Sequence, residues 1–184
     1  MGYFVGYGSL VNRMTHDHDV VSPVHLRGWR RMWRKTALRE AAFLTVVPDP
    51  LCEIDALVAA VAPQDWQALD QREAAYAKHP ARHQIGVQLP QDAPVVVYAI
   101  EQGKHHPPDP KSPVLLSYID VVVQGYLHVF GEAGVQRFFD TTGGWDATVL
   151  NDRANPVYSR HQKLTEAETA LVDEMLTRVG ASLR

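Results

Sequence analysis

The chain has 184 residues, of which 46% are hydrophobic and 21% charged, values typical of a soluble globular protein, and we expect one domain spanning 1–184. The formal net charge of −3 gives no reason to expect nucleic acid or an anionic membrane surface as a partner. One cysteine, Cys52, excludes an intramolecular disulfide and a multi-cysteine zinc site and favours a reducing, cytoplasmic location. We also expect neither a membrane span nor a signal peptide.

The first predicted element is a buried strand that begins at Tyr3 and runs into the turn Gly6-Tyr7-Gly8-Ser9-Leu10. Glycine has no Cβ, so a ligand can approach the main chain closely at Gly6 and Gly8. Successive backbone N–H groups in such a turn can hold a carboxylate or phosphate. An ordinary glycine turn at the end of a strand explains the same residues, and both readings stay open at this point.

The next two segments each allow a functional and a plain interpretation. Residues 12–22 are polar and contain His16-Asp17-His18-Asp19, which suggests metal ligands, but helical spacing is absent and a solvated loop is favoured. Residues 25–39 carry six basic side chains among Trp29, Met32 and Trp33. We interpret this segment as strand and turn with arginine stems packed over aromatic rings. Nucleic-acid binding is the alternative, and the acidic overall balance disfavours it.

The remaining elements follow from hydrophobic periodicity and from proline and glycine positions. Strands are predicted at 43–47, 56–62, 85–89 and 95–100, with the first ended by Pro48-Asp49-Pro50. An exposed loop is predicted for 103–113. Helices are predicted from Pro63 to about Tyr76, at 117–130, at 133–140 and after Thr165, which has capping-box spacing to Glu168.

The helix predicted from Pro63 contains a carboxylate in an unusual position. At 100° per residue, Glu73 falls on the same face as Trp66, Leu69 and Tyr76. Burying a carboxylate costs several kcal/mol unless it is compensated, and it raises the pKa toward the range of a general base at neutral pH. A buried Glu73 paired with one of the many arginines is the structural alternative, and ion-pair networks make it a common one.

Three motifs, in this order, resemble the gamma-glutamylcyclotransferase superfamily, near its ChaC-type branch. The first is Tyr7-Gly8-Ser9-Leu10, where the family has a YGS-type loop after its first strand and often an Asn in the place of Leu10. The second is the segment 69–76, LDQREAAY, which matches an L-D-x-x-E-x-x-Y setting around a catalytic Glu. The third is the segment 117–125, SYIDVVVQG, which matches a helix whose tyrosine lines the substrate pocket.

The resemblance implies an α+β fold built around a small mixed β-barrel with flanking helices. It implies conversion of a gamma-glutamyl amide to 5-oxoproline with release of an amine, by attack of the α-amine on the γ-carbonyl. Glu73 would be the general acid and base, and substrate would be bound by Tyr7, Gly8, Ser9, Leu10 and Tyr118. No metal or other cofactor is implied, and the only implied partner is the small-molecule substrate.

Two other interpretations come from different classes of function. Nucleophilic catalysis by Ser9 or Cys52 lacks support, since the serine has no G-x-S-x-G setting and no histidine pairs with the thiol in the sequence. A non-catalytic module could use the same fold to hold a small carboxylated ligand. The segment from Trp145 to Arg184 gives no substrate information, and the sequence identifies neither the particular gamma-glutamyl compound nor the oligomeric state.

Overall fold

A computed structural model describes residues 1–184, which form a six-stranded mixed sheet, a three-stranded sheet and three α-helices. The first sheet has the order β4-β5-β1-β3-β2-β7 and the second the order β6-β8-β9. The strands are β1 Gly2–Gly6, β2 Val20–Arg34, β3 Phe43–Val61, β4 Ala77–Pro80, β5 Val95–Ala99, β6 Val114–Leu115, β7 Thr142–Gly143, β8 Thr148–Leu150 and β9 Ser182–Leu183. The helices are α1 Trp66–Arg72, α2 Leu116–Asp140 and α3 Glu166–Arg178.

The strand β1 lies inside the larger sheet and is buried along its whole length. It pairs in parallel with β5 and antiparallel with β3, so both of its edges are hydrogen-bonded. A strand buried on both faces should be continuously apolar, as this one is. The sequence prediction of an opening buried strand is therefore confirmed.

The α+β class is confirmed, but the expected closed β-barrel is wrong. The sheet ends at β4 on one side and at β7 on the other, and these two edge strands do not pair with each other. Both are short, with four and two residues, so neither offers a ladder long enough to close the sheet. The result is an open sheet with a short strand at each edge.

The two strands predicted at 43–47 and 56–62 are one continuous strand, β3, which forms a long antiparallel ribbon with β2. The predicted stop at Pro48-Asp49-Pro50 is therefore wrong. Pro48 lies opposite Trp29, next to a register shift at Gly28, whose φ is +79°. Because β1 pairs only with the far end of β3, the edge of β3 that faces away from β2 is open at Pro48 and Pro50. A strand edge without a partner tolerates proline.

Other predictions have mixed outcomes. The strand at Val95–Ala99 is confirmed, and the helices predicted at 117–130 and 133–140 are the two parts of α2, which is interrupted at Gly131 with φ 67°. The predicted strand at 85–89 is wrong, because this segment forms no ladder. Arg82 instead holds the following loop through hydrogen bonds to the carbonyls of Leu89 and Pro90. The short strand β4 was not predicted.

The basic segment 25–39 contributes one arginine to the core, and this arginine packs over aromatic rings, as the sequence analysis predicts. Arg31 is fully buried, and its guanidinium carbon lies 5.1 Å from the ring centre of Tyr126 and 5.0 Å from that of Phe138. Its nitrogens donate to the Thr142 hydroxyl at 3.0 Å and to the Asp55 carbonyl at 2.9 Å. These bonds compensate for desolvation of the charge, and they tie β2 to β7 and to β3.

The capping box predicted at Thr165 is present and allows a stability test. The Glu168 amide donates to the Thr165 hydroxyl at 3.2 Å, and the Thr165 amide donates to the Glu168 carboxylate at 2.7 Å. We expect Thr165→Ala to lower the free energy of unfolding by about 1 kcal/mol. Thr177→Ala, which changes the same residue type late in α3, is the control and should not lower the melting temperature in differential scanning calorimetry. Equal effects of the two changes would contradict a capping role.

Candidate active site

The loop after β1 is fixed by the side chain and the backbone of Tyr7. The Tyr7 hydroxyl donates to the carbonyl of Tyr98, the fourth residue of β5, at 2.6 Å. The Tyr7 carbonyl accepts from the hydroxyl of Tyr126 in α2 at 2.9 Å. The residue is therefore held between a strand and a helix, and the turn that follows starts from a defined position.

Gly8 permits a close approach between this loop and α2. A Cβ placed on Gly8 would lie 3.0 Å from the hydroxyl oxygen of Tyr118 and 3.6 Å from a methyl carbon of Leu44. The first distance is shorter than an ordinary contact, so a side chain here would have to displace Tyr118. Ser9 then begins a short 3-10 helix, Ser9–Val11, in which Leu10 is buried.

The loop is also anchored to the middle of α2, which sets the position of Tyr118 two residues after the start of that helix. The Asn12 side-chain amide donates to the Val121 carbonyl at 2.9 Å and to the Gln124 side-chain oxygen at 3.0 Å. Gly125 allows this contact, because a Cβ there would lie 2.6 Å from the Asn12 amide nitrogen. The first and third sequence motifs therefore lie against each other.

The helix predicted to reach Tyr76 ends earlier, so the helical phase assigned to Glu73 is wrong. The α-helix stops at Arg72, and Glu73 is its C-terminal cap with φ −98° and ψ 27°. The Glu73 amide donates to the Leu69 carbonyl, and the Tyr76 amide donates to the Glu73 carbonyl at 2.8 Å. The chain must turn here because β4 begins at Ala77 and pairs with β5. Tertiary pairing overrides helix propensity at this point.

Glu73 nevertheless has a largely buried carboxylate with a cation beside it. Its side chain is 15% exposed, and its Oε1 lies 3.3 Å from the Arg72 Nε. Burial raises the pKa of Glu73 above its ordinary value of 4.5, while the positive charges of Arg72, Arg39 and Arg160 oppose this shift. Arg72 is held by a bond from its Nη1 to the Thr15 carbonyl at 2.9 Å. Glu73 is therefore both a buried carboxylate and an ion-paired one, so each of the two interpretations drawn from the sequence describes it.

A cavity of about 440 Å³ lies over Glu73, within the range of small-molecule sites. It is lined by side chains from the β1 loop, the β2–β3 connection, the end of α1, the start of α2 and the segment before α3. These residues are Ser9, Arg39, Glu40, Ala41, Phe43, Arg72, Glu73, Tyr76, Leu115, Tyr118, Val157, Tyr158, Ser159 and Arg160.

A second cavity of about 30 Å³ adjoins the first and reaches the backbone of the β1 loop. Its lining includes Tyr7, Gly8 and Leu10, and it shares Ser9, Glu73, Tyr76 and Tyr118 with the larger cavity. All six residues for which the sequence predicts a role in catalysis or substrate binding therefore line one or both cavities. Glu73 stands where the two cavities meet.

Aromatic side chains form the wall opposite Glu73. The ring of Tyr118 packs edge-on against Phe43 at 5.0 Å and against Tyr158 at 4.9 Å between ring centres. Tyr76 donates its hydroxyl to the Leu44 carbonyl at 2.7 Å. Burial raises the pKa of Tyr118, so its hydroxyl stays protonated and can donate a hydrogen bond. The wall thus presents both apolar surface and a neutral donor.

The segment 157–160 lines the cavity, although no pattern in the sequence indicates this. Two bonds to buried groups fix it: the Val157 amide donates to the Asp152 carboxylate at 2.9 Å, and the Tyr158 amide donates to the Ser117 hydroxyl at 3.3 Å. Ser117 in turn donates to Asp152 at 2.6 Å. No periodicity marks such a loop, because its position depends on contacts with Asp152 and with Ser117 of α2. It brings Tyr158 and Arg160 to the site.

The other candidate functional groups lie elsewhere. Cys52 is buried in β3 and lines neither cavity. His16 and His18 pack edge-on against Phe4 with ring centres 5.8 and 5.3 Å away. The structure contains no group of three or more His, Cys, Asp or Glu side chains arranged to hold a metal ion. None of its helices combines the length and apolar character that a membrane crossing requires.

Comparison with known proteins identifies the fold. No family model matches the chain, and no curated protein matches its sequence. A solved structure of a gamma-glutamyl cyclotransferase aligns with a TM-score of 0.60 at 10% identity, over 94% of this chain and 98% of that one. An uncharacterized protein from Homo sapiens aligns with a TM-score of 0.55 at 11% identity, over 94% and 98% of the two chains.

A third similar structure is YkqA from Bacillus subtilis, with a TM-score of 0.56 at 13% identity, over 73% of this chain and 51% of that one. The chain therefore has a gamma-glutamyl cyclotransferase-like fold, and the predicted resemblance is confirmed at that level. The comparisons do not distinguish the ChaC-type branch. At such low identities the likeness establishes the architecture alone.

Proposed function

We propose that this protein is a gamma-glutamylcyclotransferase that converts a gamma-glutamyl amide to 5-oxoproline and a free amine, with Glu73 as general base and acid. The observation that carries the proposal is the position of the Glu73 carboxylate. It is 15% exposed, and it lies where a 440 Å³ cavity meets a small pocket formed by the loop after β1. A largely buried carboxylate with a raised pKa that lines a cavity is suited to proton transfer.

The proposed reaction closes a five-membered ring within the substrate. Glu73 removes a proton from the α-ammonium group, and the free amine attacks the γ-carbonyl carbon, forming a new C–N bond. When the tetrahedral intermediate collapses, the bond to the departing nitrogen breaks and Glu73 returns a proton to that nitrogen. Both protons that the ammonium loses end on the released amine, so the overall reaction needs no oxidant or water.

Ring closure requires that both ends of the glutamyl chain be held in a folded conformation. In the proposal the α-carboxylate lies against backbone N–H groups of Tyr7, Gly8, Ser9 and Leu10, which line the small pocket. Tyr118 closes the opposite side and donates a hydrogen bond to the bound glutamyl group. Because Tyr7 is held by hydrogen bonds to two elements, the site is organised before substrate enters.

Incubation of the purified protein with a panel of gamma-glutamyl compounds tests the proposal. The panel should contain glutathione, a gamma-glutamyl amino acid and a gamma-glutamylamine, and 5-oxoproline is measured by mass spectrometry. We expect 5-oxoproline and the free amine in equal amounts from at least one compound. Binding without turnover of any compound would instead favour the non-catalytic module, a carboxylate-binding protein on the same fold.

The proposed reaction uses no thiol, and Cys52 offers a direct test. We expect Cys52→Ser to keep the rate of 5-oxoproline formation within about twofold of the unchanged protein, because the thiol is buried in β3 and lines neither cavity. Excess chelator should likewise leave the rate unchanged. Loss of turnover in folded Cys52→Ser protein, verified by circular dichroism, would contradict the proposed mechanism.

A further inference from the structure

The large cavity is lined by more positively than negatively charged side chains. Three arginines line it, Arg39, Arg72 and Arg160, against two carboxylates, Glu40 and Glu73. Only Arg72 forms an ion pair within 4 Å, and its partner is Glu73. Arg39 and Arg160 have no carboxylate within that distance. Two guanidinium groups are therefore available to an anionic ligand in the cavity.

The two arginines are held in different ways. The guanidinium carbon of Arg39 lies over the rings of Phe43 and Tyr76 at 4.7 and 5.7 Å, and its Nη2 donates to the Arg72 carbonyl at 3.3 Å. Stacking fixes the plane of this guanidinium and leaves other N–H groups free. Arg160 is exposed, and its guanidinium donates no hydrogen bond within the protein. Its backbone follows Tyr158, which is packed on Tyr118, so its attachment point is defined.

A gamma-glutamyl substrate has two positions where a carboxylate can occur. One is the α-carboxylate of the glutamyl group, and the other is on the amine that leaves. If the γ-carbonyl lies at Glu73 and the glutamyl end points into the small pocket, the leaving group extends into the large cavity. There it meets Arg39 and Arg160. A leaving group without a carboxylate would offer neither guanidinium group an ionic partner.

We propose that Arg160 and Arg39, which line the large cavity and have no carboxylate within 4 Å, bind a carboxylate on the leaving group. The inference rests on the proposed cyclotransferase function and names its substrate class. The preferred substrates are gamma-glutamyl amino acids or peptides with a free carboxylate in the leaving portion, and gamma-glutamylamines are poor substrates. Guanidinium groups suit this role, since their fork of N–H donors matches a carboxylate.

A pair of substrates that differ only in this charge provides the test. Gamma-glutamylalanine and gamma-glutamylalaninamide have the same size, but the second carries a neutral amide in place of the carboxylate. We expect the unchanged protein to show a KM for gamma-glutamylalanine about tenfold or more lower than for the amide. Equal KM values with turnover of both would overturn this inference and leave the proposed function intact. Turnover of neither, nor of any other gamma-glutamyl compound, would overturn both.

The variant Arg160→Gln then assigns the effect to this side chain. It should raise the KM for gamma-glutamylalanine about tenfold more than the KM for the amide, while any change in kcat should be equal for the two substrates, because the charge of Arg160 also acts on Glu73. Arg160→Lys should recover part of the difference, because it keeps the charge. Arg27→Gln removes an exposed arginine from outside the cavity and is the matched control. An equal increase in KM for both substrates would contradict the inference and place the arginine at the glutamyl group.

Discussion

Glu73→Gln is expected to lower kcat for 5-oxoproline formation by about 10²- to 10⁴-fold, the usual contribution of a general acid or base. Glutamine keeps the shape of the side chain but cannot accept the α-ammonium proton. KM should change little, since the variant keeps the lining of both cavities. The rate is measured by mass spectrometry of 5-oxoproline, with Glu132→Gln, an exposed carboxylate on α2, as the control.

The stability of this variant separates catalysis from a structural role. Burial raises the pKa of Glu73 despite the three arginines, so the folded state disfavours the charged carboxylate relative to the unfolded chain. That cost grows as pH rises above 4.5, and the glutamine variant lacks it. We therefore expect its melting temperature at pH 7 to match or exceed that of the unchanged protein. A destabilised variant that still turns over substrate would show that Glu73 serves mainly as the ion-pair partner of Arg72.

The same pKa direction predicts the pH dependence of the proposed reaction in the unchanged protein. A general base must be deprotonated in the free enzyme, so kcat/KM should fall as pH drops through the pKa of Glu73. This acid limb should lie above pH 4.5, because burial raises that pKa. An acid limb below 4.5 would contradict the assignment.

Gly8→Val has the second largest expected effect, an increase in KM of about tenfold or more. The new side chain would start 3.0 Å from the Tyr118 hydroxyl and would displace Tyr118 or block the small pocket. Overpacking of this kind costs about 1–3 kcal/mol of free energy. If binding loses the same amount, the affinity for substrate falls roughly five- to 150-fold. Ser9→Ala leaves the main chain unchanged and should have a smaller effect. Steady-state kinetics on a gamma-glutamyl compound, for all variants, provide the measurement.

A matched glycine is available as a control for Gly8→Val. A Cβ placed on Gly86 would have nothing within 4 Å, and its φ is not positive, so Gly86→Val should change neither KM nor the melting temperature. If Gly8→Val and Ser9→Ala both leave the kinetics of folded protein unchanged, the loop after β1 does not bind the substrate carboxylate.

Local signals in the sequence account for several parts of this structure. The opening strand, the strand at Val95–Ala99, the two parts of α2 and the cap at Thr165 were all predicted, because each depends on nearby residues and on a regular pattern. The sequence also identified six residues that line the two cavities. It did so through motif resemblance, since Tyr7 and Tyr118 are more than 100 positions apart.

Elements that depend on distant partners were predicted less well. Pro48 and Pro50 lie inside β3 because β1 pairs only with its far end and because Pro50 falls where the register between β2 and β3 shifts, and no local pattern reveals either. The helix before Glu73 ends at Arg72 because β4 must pair with β5. Glu73 therefore lies in a capping turn and not on the predicted face of a helix. The prediction of a barrel was wrong for a related reason. Closure would require the short edge strands β4 and β7 to pair with each other, and they do not.

The sequence is sufficient to identify the chemical groups of the candidate site: a carboxylate at Glu73, a glycine at Gly8 that admits close approach, and a tyrosine at Tyr118. Their arrangement around the two cavities depends on the fold. It placed Arg72 beside Glu73, and it brought Arg160 from near the C-terminus to the cavity through contacts of its segment with Ser117. The pKa of a carboxylate and the charge of a cavity depend on burial and on neighbours that are distant along the chain, and only folding defines both.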